Sequence, residues 1–341
     1  MKNIKNTKKT GFFKKIFIKL CRKFGYEIID QNKFEIPTLD KNINDDLSSL
    51  GYNSINLPLG EVKITRKVKA LDIIIRTCAS VTMLTQNKSR LFEKDKIEYT
   101  LRTINSLLNA VRLSPQLKDL NINFKVVDHN STEQSLDKIS NIFKNFKTDY
   151  DLINLDVEKF ENRINKINQR GEKVTFNQMS NMANIHQSLL EAKKCEDLIY
   201  FVEDDYIHQK NSINEMVFTY ERIASQLKKE IILCPSDYPY LYAKAEITQN
   251  FLGHRYHWRR INETLCTFLT SRIIIEKYWN KYVSMCEEEH APFEKPMHDI
   301  YEKELCISPI PSLALHFTNV NSIFGLPPNV DWRKVWDENE V

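Results

Sequence analysis

IYFVEDDYIHQ, residues 199–209, sets a short apolar run directly against three consecutive carboxylates, Glu203, Asp204 and Asp205. The apolar residues suit a buried strand, and adjacent like charges repel, so a strand that ends in three acids needs a compensating partner. The ordinary use of acids after a strand is to cap the next helix. That helix, SINEMVFTYERIASQL (212–227), has its own start signal in Ser212 and Glu215, three residues apart as in a capping box. Helix capping therefore leaves the triplet unexplained.

The same strand-then-helix pattern extends to both sides. ALDIIIRTC (70–78) is a continuous apolar run suited to a strand buried on both faces. KIEYTLRTINSLLNAVRL (96–113) aligns Ile97, Leu101, Ile104, Leu108 and Val111 on one helical face. NFKVVDHNST (123–132) reads as a second strand ending at Asp128, DKISNIFKNF (137–146) as a helix, and YDLINLD (150–156) as a weaker strand. FNQMSNMANIHQSLLEAKK (176–194) is a helix. After the acidic strand come EIILCPSD (230–237) and TLCTFLTS (264–271) as strands, RIIIEKYWNKYVSM (272–285) as one helix and SLALHF (312–317) as a late strand. Strands alternating with helices predict an α/β domain with a mainly parallel sheet flanked by helices.

Composition narrows the function. Hydrophobic residues make up 42% and charged residues 28% of 341, a globular profile. The seven glycines are scattered, no two closer than the nine residues between Gly51 and Gly60. A Walker A loop and a G-x-G-x-x-G turn both need clustered glycines so that backbone can approach phosphate. A phosphate here must be held by metal or side chains. The seven cysteines form no C-x-x-C pair, which argues against a zinc ribbon or disulfide framework and fits a reducing cytoplasm. No apolar run is long enough to cross a bilayer, and no signal-peptide pattern follows the basic start.

Net charge is +4, but residues 1–24 carry nine Lys or Arg and no acid, leaving 40 basic and 45 acidic residues in the remainder. The balance of the body does not suggest a nucleic-acid binder. Within the basic segment, Phe12, Phe13, Ile16, Phe17, Leu20 and Phe24 recur at helical spacing among lysines. This predicts an amphipathic helix of about four turns that suits an anionic membrane surface. The expected organisation is a basic helix (1–30), a connecting or cover segment (31–65), a catalytic domain (66–320, divided at 210/211) and a C-terminal tail (321–341).

In open α/β sheets, ligands bind outside the carboxyl ends of the strands. Clustered carboxylates there suit Mn²⁺ or Mg²⁺, with substrate phosphates completing the shell. At this point IYFVEDDY resembles the D-x-D motif of GT-A-fold glycosyltransferases, in an E-D-D form similar to family 2 and N-acetylglucosaminyltransferase-type enzymes. LDIIIRTC and FKVVDHNST resemble the family's nucleotide half, although VVDHNST lacks the second acid and the glycine of that loop. The resemblance covers about residues 70–317. It implies a GT-A-like (Rossmann-like) fold and a metal-dependent transfer of sugar from a nucleotide-diphosphate sugar to a glycan or lipid-linked acceptor. Asp205 would bind the metal, Asp204 the ribose or the metal through water, and Glu203 the base or ribose side. Asp128, Arg76 and Thr77 would lie against the nucleotide, and His316 would be a further metal ligand.

An inverting transfer needs a carboxylate to take the acceptor's proton. Asp299 in EKPMHDIYEKEL is the first candidate, with Asp237 and Glu263 as alternatives. In GHRYHWRRINE (253–263), Arg259 and Arg260 suit a leaving diphosphate and Trp258 a stacked sugar. The competing readings are a nucleotidyltransferase of related fold and a non-catalytic glycan-binding or scaffold protein. The setting expected for the leading one is surface-polysaccharide synthesis, in the cytoplasm and peripheral on the inner face of the membrane.

Overall fold

The computed structural model describes residues 12–26, 28, 54–57, 60–80, 91–243, 245, 247–317 and 323–341. The chain divides into two compact units, residues 1–45 with 54–62, and residues 46–53 with 63–341. In the first, α1 (Phe12–Lys23) is an amphipathic helix of about three turns. Two short strands, β1 (Ser54–Leu57) and β2 (Gly60–Lys63), pair with each other. The rest of the connecting segment expected at 31–65 lies outside the described residues.

The second unit opens with β3 (Ala70–Thr77), α2 (Lys96–Arg112), β4 (Asn121–Asp128), α3 (Glu133–Phe146), β5 (Asp151–Asn154), α4 (Glu158–Glu161) and α5 (Phe176–Ala192). The acidic strand β6 (Leu198–Glu203) follows, then β7 (Tyr206–His208), α6 (Ser212–Leu227), β8 (Ile232–Leu233), β9 (Asn250–Leu252) and β10 (His257–Arg260). The chain continues through β11 (Phe268–Ser271), α7 (Arg272–Lys277), α8 (Trp279–Glu287), α9 (Lys295–Lys303), β12 (Cys306–Ile310), β13 (Ala314–His316) and α10 (Trp332–Asp337).

Nine strands form one sheet in the order β5-β4-β3-β6-β11-β8-β12-β10-β9. Seven point the same way; β10 and β11 run against them. β3 is buried along its whole length, as its continuous apolar run requires. Each fully buried isoleucine of Ile73, Ile74 and Ile75 contributes roughly 1.5–3 kcal/mol. The chain steps from β3 outward to β4 and β5, then returns through α5 to place β6 on the other side of β3. The connection reverses between β3 and β6, so the carboxyl ends of these two strands form the switch point at which such sheets bind ligands.

The structure departs from the sequence reading at several places. The helix expected over 272–285 is two, α7 and α8, broken at Tyr278. SLALHF does not join the main sheet; its core, β13, pairs antiparallel with β7, just past the acids. β9, β10 and β12 were not anticipated. β12 hides in CISPI because proline is a poor sign of a strand. Pro309 is tolerated because β8 pairs only with Cys306 and Ile307, so at Pro309 the ladder continues to β10 alone.

The expected capping box of α6 does not form. Asn211 is the N-cap, and Glu215 is a buried carboxylate instead. It accepts from the amides of Arg255 (2.8 Å) and Tyr256 (3.2 Å) and the indole of Trp258 (3.1 Å). These donors hold the Gly253–Arg260 stretch against α6. A Cβ at Gly253 would overlap the Trp258 ring and the Thr219 hydroxyl, both fixed by packing. Gly253→Ala is expected to cost about 1–3 kcal/mol, read as a lower urea midpoint at unchanged slope.

Candidate metal centre at the carboxyl edge

β3 and β6 lie in parallel register, which brings Arg76 beside Glu203; β3 and β4 do the same for Thr77 and Asp128. Glu203 accepts from the Arg76 guanidinium at 2.5 Å, and Arg76 also reaches Asn181 on α5 at 3.2 Å. Asp204 pairs with Lys96 of α2 at 2.5 Å and accepts from the Thr100 hydroxyl at 3.0 Å and the Cys78 amide at 3.3 Å. Asp205 faces Nε2 of His316 at 3.4 Å. Each acid of the triplet thus meets a different basic side chain, from β3, α2 and β13.

His316 is placed by β13, whose register sets it opposite Tyr206; the Phe317 amide donates to the Asp205 carbonyl at 2.9 Å. Its ring stacks on Tyr206 with centroids 4.4 Å apart. Nδ1 lies 3.0 Å from the carbonyl of Phe324, which can only accept, so Nδ1 carries the proton and Nε2 is left toward Asp205. One ligand atom each from Glu203, Asp205 and His316 lies within 4.8 Å of the others. Two carboxylates and an imidazole, with the ring's far nitrogen bound to a carbonyl, make a group that could hold a metal ion. Burial pushes the Glu203 carboxyl up against the pull of Arg76. For His316, burial lowers the pKa, but Asp205 and Glu203 more than offset it and the result is raised.

At the end of β4, Asp128 is buried and accepts from Thr77 Oγ1 and Ser131 Oγ, both at 2.6 Å, and from the Ser131 amide at 3.1 Å. Arg76, Thr77, Asp128, Glu203 and Asp204 therefore sit together at three neighbouring strand ends.

Arg259 and Arg260 do not join them. They lie on β10, four strands from β6, about 19 Å at ~4.8 Å per strand. Arg259 pairs with Asp237 and covers the Tyr242 ring; Arg260 reaches the Tyr301 carbonyl. Trp258 is wholly buried with its indole bound to Glu215, which overturns the sugar-stacking expectation.

The three base candidates separate clearly. Asp299 is half exposed and bound to Lys281, which holds its carboxyl below the ordinary range. Asp237 is buried beneath Tyr242 and Arg259. Glu263 lies beside His298 at 3.1 Å and is paired with Glu294.

Glu294 was missed by the sequence reading. As the residue before Lys295-Pro296 it holds the N-cap position of α9, a placement that proline near a helix start could have signalled. Buried, it accepts from the Thr264 amide (2.8 Å) and hydroxyl (2.7 Å) and from the Cys266 amide. Tyr238 donates to the Thr264 carbonyl at 3.1 Å and meets Tyr206 at 2.7 Å, and Thr267 Oγ1 accepts from the Glu203 amide at 3.3 Å. The Glu263–Glu294 pair is joined in this way to the residues that frame the acidic trio.

A scan of protein-family models and a search of curated proteins both gave no match. Among solved structures the chain is similar to S. aureus TarS at 12% identity, with a TM-score of 0.37, over 70% of this chain and 35% of that one. It is similar to mouse xyloside xylosyltransferase 1 at 12% identity and a TM-score of 0.35, over 69% of this chain and 76% of the other. It is also similar to the galactosyltransferase LgtC, solved with donor and acceptor sugar analogs, at 10% identity and a TM-score of 0.34, over 70% and 72%. For TarS 1–349 in complex with UDP the coverage is 57% of that chain, so this chain spans less than two thirds of either TarS structure.

Burial and the neighbouring Glu294 carboxylate push Glu263 from an ordinary 4.5 up to about 9. The folded chain thus holds this proton where the unfolded chain has lost it. Stability should fall as pH rises through that window. Glu263→Gln is expected to flatten the fall and to raise stability at pH ~8 relative to wild type, measured by urea unfolding at several pH values; an unchanged slope would contradict the assignment.

Proposed function

We propose that this chain is a metal-dependent glycosyltransferase. It moves a sugar from a nucleotide-diphosphate donor to a glycan or lipid-linked acceptor, with inversion, in surface-polysaccharide synthesis. The observation that carries this reading is the convergence of Glu203, Asp205 and His316 at the switch point of the sheet. With no glycine cluster to cradle phosphate, these side chains are the chain's best means of handling a diphosphate.

Asp205 and His316 hold the cation, with Glu203 beside them and oriented by Arg76. A bound Mn²⁺ or Mg²⁺ neutralises the diphosphate and makes it a better leaving group. Thr77 and Asp128, two strand ends along, take the nucleoside, and Asp204 keeps α2 and the β3 end in place around it. Arg76 and Lys96 already stand at the strand end and support the diphosphate's charge more directly than Arg259 and Arg260. Of the three base candidates, Glu263 is the one whose segment, 261–267, bonds the Glu203 amide through Thr267; burial beside Glu294 keeps it protonated, so it can take the acceptor's proton only once it has lost its own.

Sugar-nucleotide hydrolysis or transfer across a donor panel, with and without Mn²⁺, tests the reading. Turnover should require the metal, and Asp205→Ala and His316→Ala should each weaken Mn²⁺ binding by at least about tenfold. Turnover that persists in EDTA, or Mn²⁺ binding unchanged by both substitutions, would refute it.

α1 adds a place of action. Phe12, Phe13, Ile16, Phe17, Leu20 and Phe24 are each about half exposed or more, among a cluster of basic residues. No helix among the described residues is long and apolar enough to cross a membrane. We read α1 as a peripheral anchor on the anionic inner face of the cell membrane, which would bring a lipid-linked acceptor to the site. Removal of residues 1–30 should abolish co-sedimentation with phosphatidylglycerol vesicles while neutral vesicles show little binding to either form; equal sedimentation of both forms would rule out the anchor.

A further inference from the structure

A cavity of about 560 Å³ opens at the carboxyl edge, between the loop before α5 and the loop after α8. Asn168, Arg170, Gln178, Glu289, His290 and Phe293 line it, together with Glu172 and Thr175. It contains none of the acidic trio, and nothing described so far uses it. Its size falls within the roughly 300–1,000 Å³ of small-ligand sites.

The walls are built. The Asn165 amide donates to the Glu287 carbonyl at 2.7 Å, Asn168 Nδ2 to Glu289 at 3.0 Å, and Gln178 Nε2 to the other Glu289 oxygen at 2.5 Å. Gln169 Nε2 lies 2.8 Å from His290 Nδ1, and His290 Nε2 lies 3.3 Å from the Ser284 carbonyl, which together hold the ring in place. Among the described residues the Arg170 guanidinium makes no hydrogen bond or ion pair.

The chemistry of the lining selects a ligand. Amides, carboxylates and an imidazole offer donors and acceptors side by side, which suits hydroxyl groups, and Phe293 supplies an apolar face. One arginine against two glutamates leaves the lining at −1, which disfavours a phosphate or other anion. Two chains of contacts link the cavity to the acidic trio. Gln178 lies one helical turn before Asn181, the residue that Arg76 touches. Phe293 directly precedes Glu294, which grips the segment whose Thr267 bonds Glu203.

We propose that this cavity binds the end of a neutral oligosaccharide, and that it is the acceptor subsite. The second half rests on the glycosyl-transfer reading; the first does not. The full chain, fluorescently labelled, is applied to an array of neutral, amino and anionic glycans. Neutral glycans should be retained, and retention should weaken about tenfold in Phe293→Ala and in Arg170→Ala, while both variants bind Mn²⁺ as wild type does. Arg170 is on an exposed loop, so its replacement keeps the test sound if Phe293→Ala fails to fold. No neutral glycan retained, anionic glycans alone retained, or retention unchanged in both variants would overturn the proposal. Retention with no metal-dependent turnover of any sugar nucleotide would leave the glycan site standing and sink the transferase reading.

Discussion

Three adjacent carboxylates at the end of a buried strand each need a partner. Arg76, Lys96 and His316 supply them, and they come from β3, α2 and β13. Removing one partner from a buried pair typically costs about 3–5 kcal/mol, because it strands the other charge. The triplet therefore dictates which elements must meet at this edge. α2 must run past β6, and a late strand must return to the chain just beyond it. Two of the partners carry permanent charge. The third is an imidazole, which is also a metal-ligating group, and this sets Asp205 apart from its neighbours.

Beyond the triplet, polar contacts run inward rather than out to solvent. His316 lies on Tyr206, Tyr206 meets Tyr238, Tyr238 bonds the Thr264 carbonyl, and Thr264 bonds Glu294. A buried network of this kind favours one arrangement, because breaking a link leaves polar groups unpaired at low dielectric. It connects the trio to the Glu263–Glu294 pair.

Much of this edge was legible in the sequence. The runs LDIIIRT, FKVVD and LIYFVE gave β3, β4 and β6, and with them the strand-end placement of Thr77, Asp128 and Glu203, because buried parallel strands carry their signal in their own composition. The late position of His316 was legible too, though its pairing with β7 was not, since register between distant segments leaves no local trace. Glu215 shows the opposite failure. Its spacing from Ser212 mimics a capping box, but the carboxylate is drawn to three donors that arrive some forty residues later. Tertiary demand outweighed a local preference worth about 1 kcal/mol. Trp258 and Arg259 were misread for the same reason. A basic aromatic stretch looks like a surface loop until β10 forms beside β12, and the Pro-containing CISPI gave no warning of that strand.

β13 contributes a residue to the centre from the far end of the sequence, 111 positions after Asp205, and α10 then closes over the same region through Trp336, Arg102 and Phe92. Contacts between such distant segments form late, after the entropy of closing long loops has been met. During synthesis the acids and their first two cations emerge well before the imidazole does. A nascent chain presents the strand end before His316 has been made, and Asp205 and His316 come together only when β13 pairs with β7.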